Sequence, residues 1–375
     1  MWMRIGIDAR LVYYSRAGIG QYIIHLTRAL AHLDTPDDHF VLLQSRKDRT
    51  KIVENHQFSR VSLWTPSHHR LEQPALRFET ARSGLDLLHS PDFIPPFKRS
   101  YKSVITVHDL AFLLYPQFMT AESARYYGQV DQAVRNTDHI IAVSKATKQD
   151  LISLLGVPSE KITVIYEGCN PAYQCIDRQK AQAFCHKTWD LDENFIFFIG
   201  TLEPRKNIPT LLRAYRLLRD QYKRQEKLVL AGSKGWLFEE VEQTIKDLNL
   251  VDDVILIGRV EDTWVNYLYN AASMLVFPSF YEGFGLPPLE AMTCGTPVIV
   301  SKIKVMPEVV GDAALMIDPH DPENLAIAMH RLLIDEDLRS ELIAKGLKRA
   351  AKFSWEQAAC ETLKIYHKVG GNGAG

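Results

Sequence analysis

Two glutamates, Glu282 and Glu290, stand eight residues apart in the stretch PSFYEGFGLPPLEAMTCGTPVI, residues 278 to 299. A Gly-Phe-Gly turn and two prolines lie between them. Gly283 and Gly285 expose backbone N–H groups around Phe284, and Pro287 or Pro288 pre-sets the first turn of a helix that holds Glu290. One carboxylate in the loop and one in the first helical turn would accept hydrogen bonds from the hydroxyls of a sugar and of a ribose, while the N–H groups meet the remaining oxygens. A structural reading stands beside this. A first-turn acid complements the helix dipole by about 0.3 to 1 kcal/mol with no ligand.

A second constellation is cationic. In FIGTLEPRKNIPT, Arg205 and Lys206 sit between an apolar run and a helical pattern, where a guanidinium fork and an ammonium would meet a diphosphate. LAGSKGW at 230 to 236 and LIGRVED at 256 to 262 repeat the placement, which suits Arg259 and Val260 to contacts with a base or ribose. His108 and Asp109, in TVHDLAF, close another apolar run; a histidine there is a candidate for chemistry, and Asp109 equally a helix cap. Gly18 and Gly20 precede a helix and would offer N–H groups to an anion, but the third glycine of a dinucleotide fingerprint is replaced by Ile23.

These residues need strands to hold them. Short apolar runs alternate with helical patterns at 3–9, 40–44, 61–64, 85–90, 103–109, 139–144 and 162–168. The alternation resumes at 195–201, 227–232, 254–258, 274–279, 297–302 and 314–318. Such runs imply parallel strands covered on both faces by helices, for example a helix over 21–33. The chain therefore reads as α/β, with two doubly wound, Rossmann-like domains joined through a polar segment near 170–194. The first spans residues 1–180 and the second 190–354. Ligands of such sheets bind outside the carboxyl ends of the strands, which is where every candidate above falls. Two such domains facing a deep cleft would suit a reaction between two substrates.

Composition removes other classes. Lys plus Arg is 44 against 45 for Asp plus Glu, so a net charge of −1 supplies no field that recruits nucleic acid. Five scattered cysteines with no C-x-x-C pair suit a reducing compartment, and the N-terminus, with Arg4 and Asp8, reads as a first strand and not a leader. No stretch approaches the ~18 apolar residues of a membrane span. The expected location is the cytoplasm. The basic runs at 46–51 and 97–102 read either as solvated surface or as a peripheral contact with the inner face of a membrane.

Taken together, FPSFYEGFGLPPLEAMTCGTPVIVS, GTLEPRKN, AVSKATKQDL, GDAALMIDP and FSWEQAA resemble the retaining GT-B glycosyltransferases of family four, the group 1 family. IDARL, the GIGQYI loop, HSPDFIPP and TVHDLAF are similar to bacterial polysaccharide enzymes of that family, many of them mannosyltransferases. The resemblance implies that the first domain takes the acceptor and the second a nucleoside-diphosphate sugar. A helix over 355–370 would cross back to the first domain. It implies that Arg205 and Lys206 bind the donor diphosphate, Glu290 the ribose, and Glu282 the sugar hydroxyls with help from Gly283, Phe284, Gly285 and Leu286. His108 would contact the sugar, and Gly18 and Gly20 would close over phosphate or acceptor. EGCN at 167–170 departs from the family's NGVD, which leaves that loop's contacts open.

The expected reaction is retaining transfer of a hexosyl unit, from GDP-mannose or a UDP-hexose such as UDP-glucose, to a saccharide or lipid-linked saccharide. No carboxylate nucleophile for a double displacement can be identified, so same-face transfer is expected, with the cations stabilising the departing diphosphate. No D-x-D triplet falls in the candidate loops, and no metal or cofactor is expected. A nicotinamide-dependent dehydrogenase, a nucleotide-sugar epimerase of the same fold and a non-catalytic sugar sensor are the rival readings. Ile23 weighs against the first.

Overall fold

The structure, a computed structural model, describes residues 2–15, 18–118, 121–191 and 194–371. The chain divides into two compact units, Met1–Gly168 with Ser354–Gly375, and Cys169–Phe353.

In unit 1 the strands are β1 (Met3–Asp8), β2 (Asp38–Ser45), β3 (Phe58–Leu63), β4 (Leu87–Ser90), β5 (Lys102–Val107), β6 (His139–Ala142) and β7 (Ile162–Val164). They form one sheet in the order β3-β2-β1-β4-β5-β6-β7, and every pairing is parallel. Ile5, Ile7, Leu87, Leu88, Val104, Ile105, Ile140 and Ile141 are buried, as continuous apolar strands covered on two faces require. The helix expected over 21–33 runs Ile19–Leu30. It stops early because the His32 ring occupies the Arg28 carbonyl, and the His32 N–H turns to Ala29 instead.

The helix Trp355–Gly370 packs into unit 1, as expected. Ser354 caps it through the Gln357 N–H, and Trp355, Ala358, Ala359, Thr362, Ile365, Tyr366 and Val369 form its buried face at helical spacing. Trp355 stacks on His25 and meets the edge of Tyr22, both on Ile19–Leu30. Burial of each large apolar side chain here contributes roughly 1.5 to 3 kcal/mol. Gly168 lets the helix start approach, since a Cβ there would lie 2.4 Å from the Trp355 nitrogen.

Unit 2 holds β8 (Phe195–Ile199), β9 (Lys227–Ala231), β10 (Val254–Gly258), β11 (Met274–Phe277), β12 (Val298–Ser301) and β13 (Leu315–Ile317). These also pair in parallel, in the order β10-β9-β8-β11-β12-β13. Phe195, Phe197, Phe198 and Phe277 are wholly buried between the helix layers, with Tyr215 and Tyr269. The polar stretch 170–194, which reads as a joining segment, carries a helix, Arg178–Trp189, capped by Asp177 and packed on Asp262–Ala271. Its weak apolar pattern hides it: Ala181 and Cys185 are its buried residues. Among the described residues no helix is long and apolar enough to cross a membrane.

Candidate functional site

In unit 2, β8 ends at Ile199, and the chain turns through a short helical turn, Pro204–Lys206, before the helix Ile208–Tyr222. Asn207 adopts a left-handed conformation (φ 58°) and ties this turn to the loops after β11 and β13, its side-chain amide donating to the carbonyls of Pro278 (3.0 Å) and Pro319 (2.7 Å). Arg205 and Lys206 are thereby held against the loop that follows β11. One Glu282 oxygen accepts from Arg205 Nη1 at 2.9 Å and the other from Lys206 Nζ at 2.6 Å. Arg205 also binds Glu203 and the Tyr281 carbonyl, and Lys206 Nζ lies 4.8 Å from the Phe277 ring centre.

The cluster is buried: the side chains of Glu282, Lys206 and Arg205 keep 9%, 10% and 19% of their exposure. Burial alone would raise the Glu282 pKa, but Arg205 and Lys206 outweigh it and hold the carboxyl at about 2. Burial pulls Lys206 below the ordinary lysine value, against the opposing pull of Glu282. Sequence reasoning sets the two carboxylates apart from the cations. The structure joins Glu282 to them in one ion-paired unit, with Glu203 as a second acid on Arg205.

Gly285 caps the helix Leu286–Thr293 with φ 107°, a conformation L side chains avoid, and a Cβ there would meet the Met306 methyl at 2.9 Å. Gly283, Phe284 and Gly285 are buried, Phe284 against Phe353, and Leu286 is half-buried. Because the helix begins at Leu286, Glu290 lies in its second turn and not its first, so dipole complementation does not account for it. Glu290 is half-buried and accepts from the Tyr269 hydroxyl at 2.7 Å. Arg259 is exposed and Val260 half-buried in the loop after β10.

In unit 1, His108 follows β5, also at a strand's carboxyl end. Its Nδ1 lies 3.0 Å from Glu167 and its Nε2 3.1 Å from the Pro91 carbonyl, and its ring meets the edge of Tyr22 at 4.7 Å between ring centres. Carboxylate and carbonyl are both acceptors, so each ring nitrogen faces a hydrogen-bond acceptor. Beneath it the Tyr22 hydroxyl bonds Thr106, Thr106 bonds His89, and His89 bonds Tyr366 on Trp355–Gly370. Burial lowers the His89 pKa to about 3, which keeps that ring neutral.

Asp109 bonds the Ala111 N–H at a short helix start. Gly18 caps Ile19–Leu30 at φ 45°, whereas Gly20 does not precede the helix but lies inside it. A Cβ on Gly20 would come within 2.1 Å of the Ser15 carbonyl oxygen, so close packing by itself demands that glycine. Among the described residues no group of three or more His, Cys, Asp or Glu is placed to hold a metal ion.

Two arrangements escaped sequence reasoning. Glu167, in the departed EGCN loop, orients His108 from 59 positions away, and only its place after β7 pointed to it. Arg10, 2% exposed, joins Asp8 and Glu72 in a buried ion cluster at the end of β1. The IDARL motif holds two of its three members; Glu72 carries no sequence signal.

Known proteins resemble this chain in sequence and in fold. The family model described as "Glycosyl transferases group 1" matches residues 180–349, and that described as "Glycosyltransferase Family 4" matches residues 16–173. O-antigen chain mannosyltransferase B of Escherichia coli is 31% identical over 383 residues, covering 97% of this chain and 99% of the relative. The serotype-specific mannosyltransferase WbdA of Escherichia coli is 30% identical over 353 residues, 88% of this chain; the match spans 41% of WbdA. Sucrose-phosphate synthase from Thermosynechococcus elongatus, a solved structure, superposes with a TM-score of 0.79 at 22% identity, over 99% of this chain and 100% of that one. The chain belongs to the group 1 glycosyltransferases, family 4, and has their two-domain α/β GT-B fold.

Proposed function

We propose that this glycosyltransferase moves a mannosyl unit from a nucleoside-diphosphate sugar to a growing saccharide or lipid-linked saccharide during polysaccharide assembly, with retention of anomeric configuration and without a metal. The observation that carries the reading is the buried Arg205–Lys206–Glu282 cluster at the strand ends of unit 2. Two cations fixed side by side match a diphosphate, a guanidinium fork for one phosphate and an ammonium for the next. As the glycosidic bond to the diphosphate breaks, negative charge grows on the leaving oxygen, and fixed cations in a buried site stabilise it without reorganisation. This is the role a divalent cation would otherwise fill.

Glu282 holds the cations in register and presents its remaining lone pairs to sugar hydroxyls. Gly283, Phe284, Gly285 and Leu286 offer backbone groups to the sugar and phosphates at the helix start. Glu290, fixed by Tyr269, takes the ribose hydroxyls, and the loop with Arg259 and Val260 takes the base. In unit 1, Glu167 orients His108 toward a substrate hydroxyl, and the loop with Gly18 and Gly20 meets phosphate or acceptor. The departing diphosphate accepts the acceptor proton on the same face, which retains configuration with no protein nucleophile.

Mannose is the first choice because both curated relatives named above are mannosyltransferases, and that favours GDP-mannose; UDP-glucose is the alternative. Incubation with each donor and a mannose-terminated acceptor, with EDTA, tests this. The α-linked mannoside seen by NMR, at a rate EDTA leaves unchanged, is expected; turnover with UDP-glucose alone, a β-linked product, or loss of activity in EDTA would each contradict the corresponding part.

A further inference from the structure

We propose that unit 1 docks on an anionic lipid bilayer through the outer face of the helix Glu72–Ala81 and the adjoining ends of β2 and β3. Leu71, Pro74, Phe78 and Ala81 are all exposed, and their spacing of three, four and three residues puts them on one stripe of that helix. Leu71 is 57% exposed and Phe78 72%, against an opposite face where Glu72, Leu76 and Thr80 are buried. A folded domain seldom leaves such a stripe in water. Trp64, 70% exposed, extends it: the Trp64 N–H donates to Glu79 on the helix at 2.7 Å, and the Arg46 guanidinium lies 3.7 Å over the Trp64 ring.

Charge identifies the occupant. Arg46, Lys47, Arg49, Arg70, Arg77 and Arg82 are exposed around this surface. The neighbouring acids turn inward. Asp48 is buried on Gln44, Glu72 is buried on Arg10, and Glu79 is engaged by the backbone of Trp64 and Thr65. Exposed arginines rimming an apolar, Trp-bearing face match the headgroup boundary of an anionic bilayer. A second copy of the chain fits poorly, because a two-fold contact on this face would set arginines against arginines. The other basic run, 97–102, lacks the pattern: Arg99 is buried on carbonyls and Asp138, Lys102 pairs with Asp138, and Tyr101 is buried. Arg46 and Trp64 directly follow β2 and β3, so the surface shares the carboxyl edge of the sheet with His108.

Binding is independent of turnover, so the test separates from that of the proposed reaction. The full chain is sedimented with phosphatidylcholine vesicles, with and without phosphatidylglycerol. Sedimentation with the anionic vesicles alone is expected. The double variant R46Q/R77Q should lose about twenty-five-fold in binding, about fivefold per arginine. L71S/F78S should lose at least about tenfold, and K102Q, in the other basic run, should bind as the parent does. No sedimentation of the parent, undiminished binding by both double variants, or self-association of the parent that L71S/F78S abolishes would overturn the proposal.

Discussion

The two units are built alike and hold their candidate chemistry in opposite ways. Unit 2 gathers ions: Arg205 and Lys206 adjoin in sequence, and their carboxylate comes from the next strand end along the sheet. Unit 1 holds one histidine between a carboxylate and a carbonyl, over a buried Tyr22–Thr106–His89–Tyr366 chain. The same parallel sheet thus supplies a charged clamp in one case and an oriented ring in the other. A clamp for a fixed diphosphate suits preorganised charge, and a ring that meets a hydroxyl suits precise direction.

That contrast can be broken experimentally. Its largest test is Glu282→Ala, which leaves Lys206 buried without its carboxylate and lets the two cations part. Turnover should fall about a hundredfold to a thousandfold, as when a preorganised electrostatic group is lost. A near-normal kcat in a variant with an unaltered melt would remove Glu282 from the clamp.

A smaller effect is expected in unit 1. Glu167→Gln keeps the shape and one acceptor but removes the charge that orients the His108 ring. A loss of about tenfold in kcat with KM little changed would mark a positioning role, since one charged hydrogen bond is worth roughly 1.5 kcal/mol or more. A change in KM alone would assign Glu167 to substrate binding, and no change would make the contact incidental.

The smallest effect concerns acid stability. The folded Glu282 pKa, about 2, lies below the unfolded value near 4.5, so its stabilisation is fully present above that unfolded value. It is lost as pH falls from there toward 2. Glu282→Gln should therefore flatten the acid limb of a stability profile over that window. Parallel profiles for the parent and Glu282→Gln would show that the ion cluster contributes nothing to folding.

Much of this was legible because parallel strands advertise themselves. The strands of the described residues overlap runs such as FIFFI, KLVLA and VITV, since burial on both faces leaves the central strands no polar alternation to blur them; the edge strands β3 and β10 are partly exposed. Arg205, Lys206 and Glu282 were legible individually, as ions at strand ends, but their pairing was not, because it depends on Asn207 drawing two loops together. Glu290 reads as a first-turn residue because the prolines read as opening the helix, whereas Gly285, at positive φ, caps a helix that already begins at Leu286. Arg178–Trp189 passed as a linker because it buries so little. Glu167 and Glu72 lie far along the chain from the residues they bind, and spacing carries no information at such range.

The central claim is that Arg205 and Lys206 form a diphosphate clamp. Calorimetric titration of the parent and Arg205→Ala with GDP and with UDP, at one fixed salt concentration, tests it most directly. The account predicts measurable binding of a nucleoside diphosphate by the parent and a loss of about tenfold to a hundredfold in Arg205→Ala, the range of a charge-assisted hydrogen bond. Equal dissociation constants for the two proteins would contradict it.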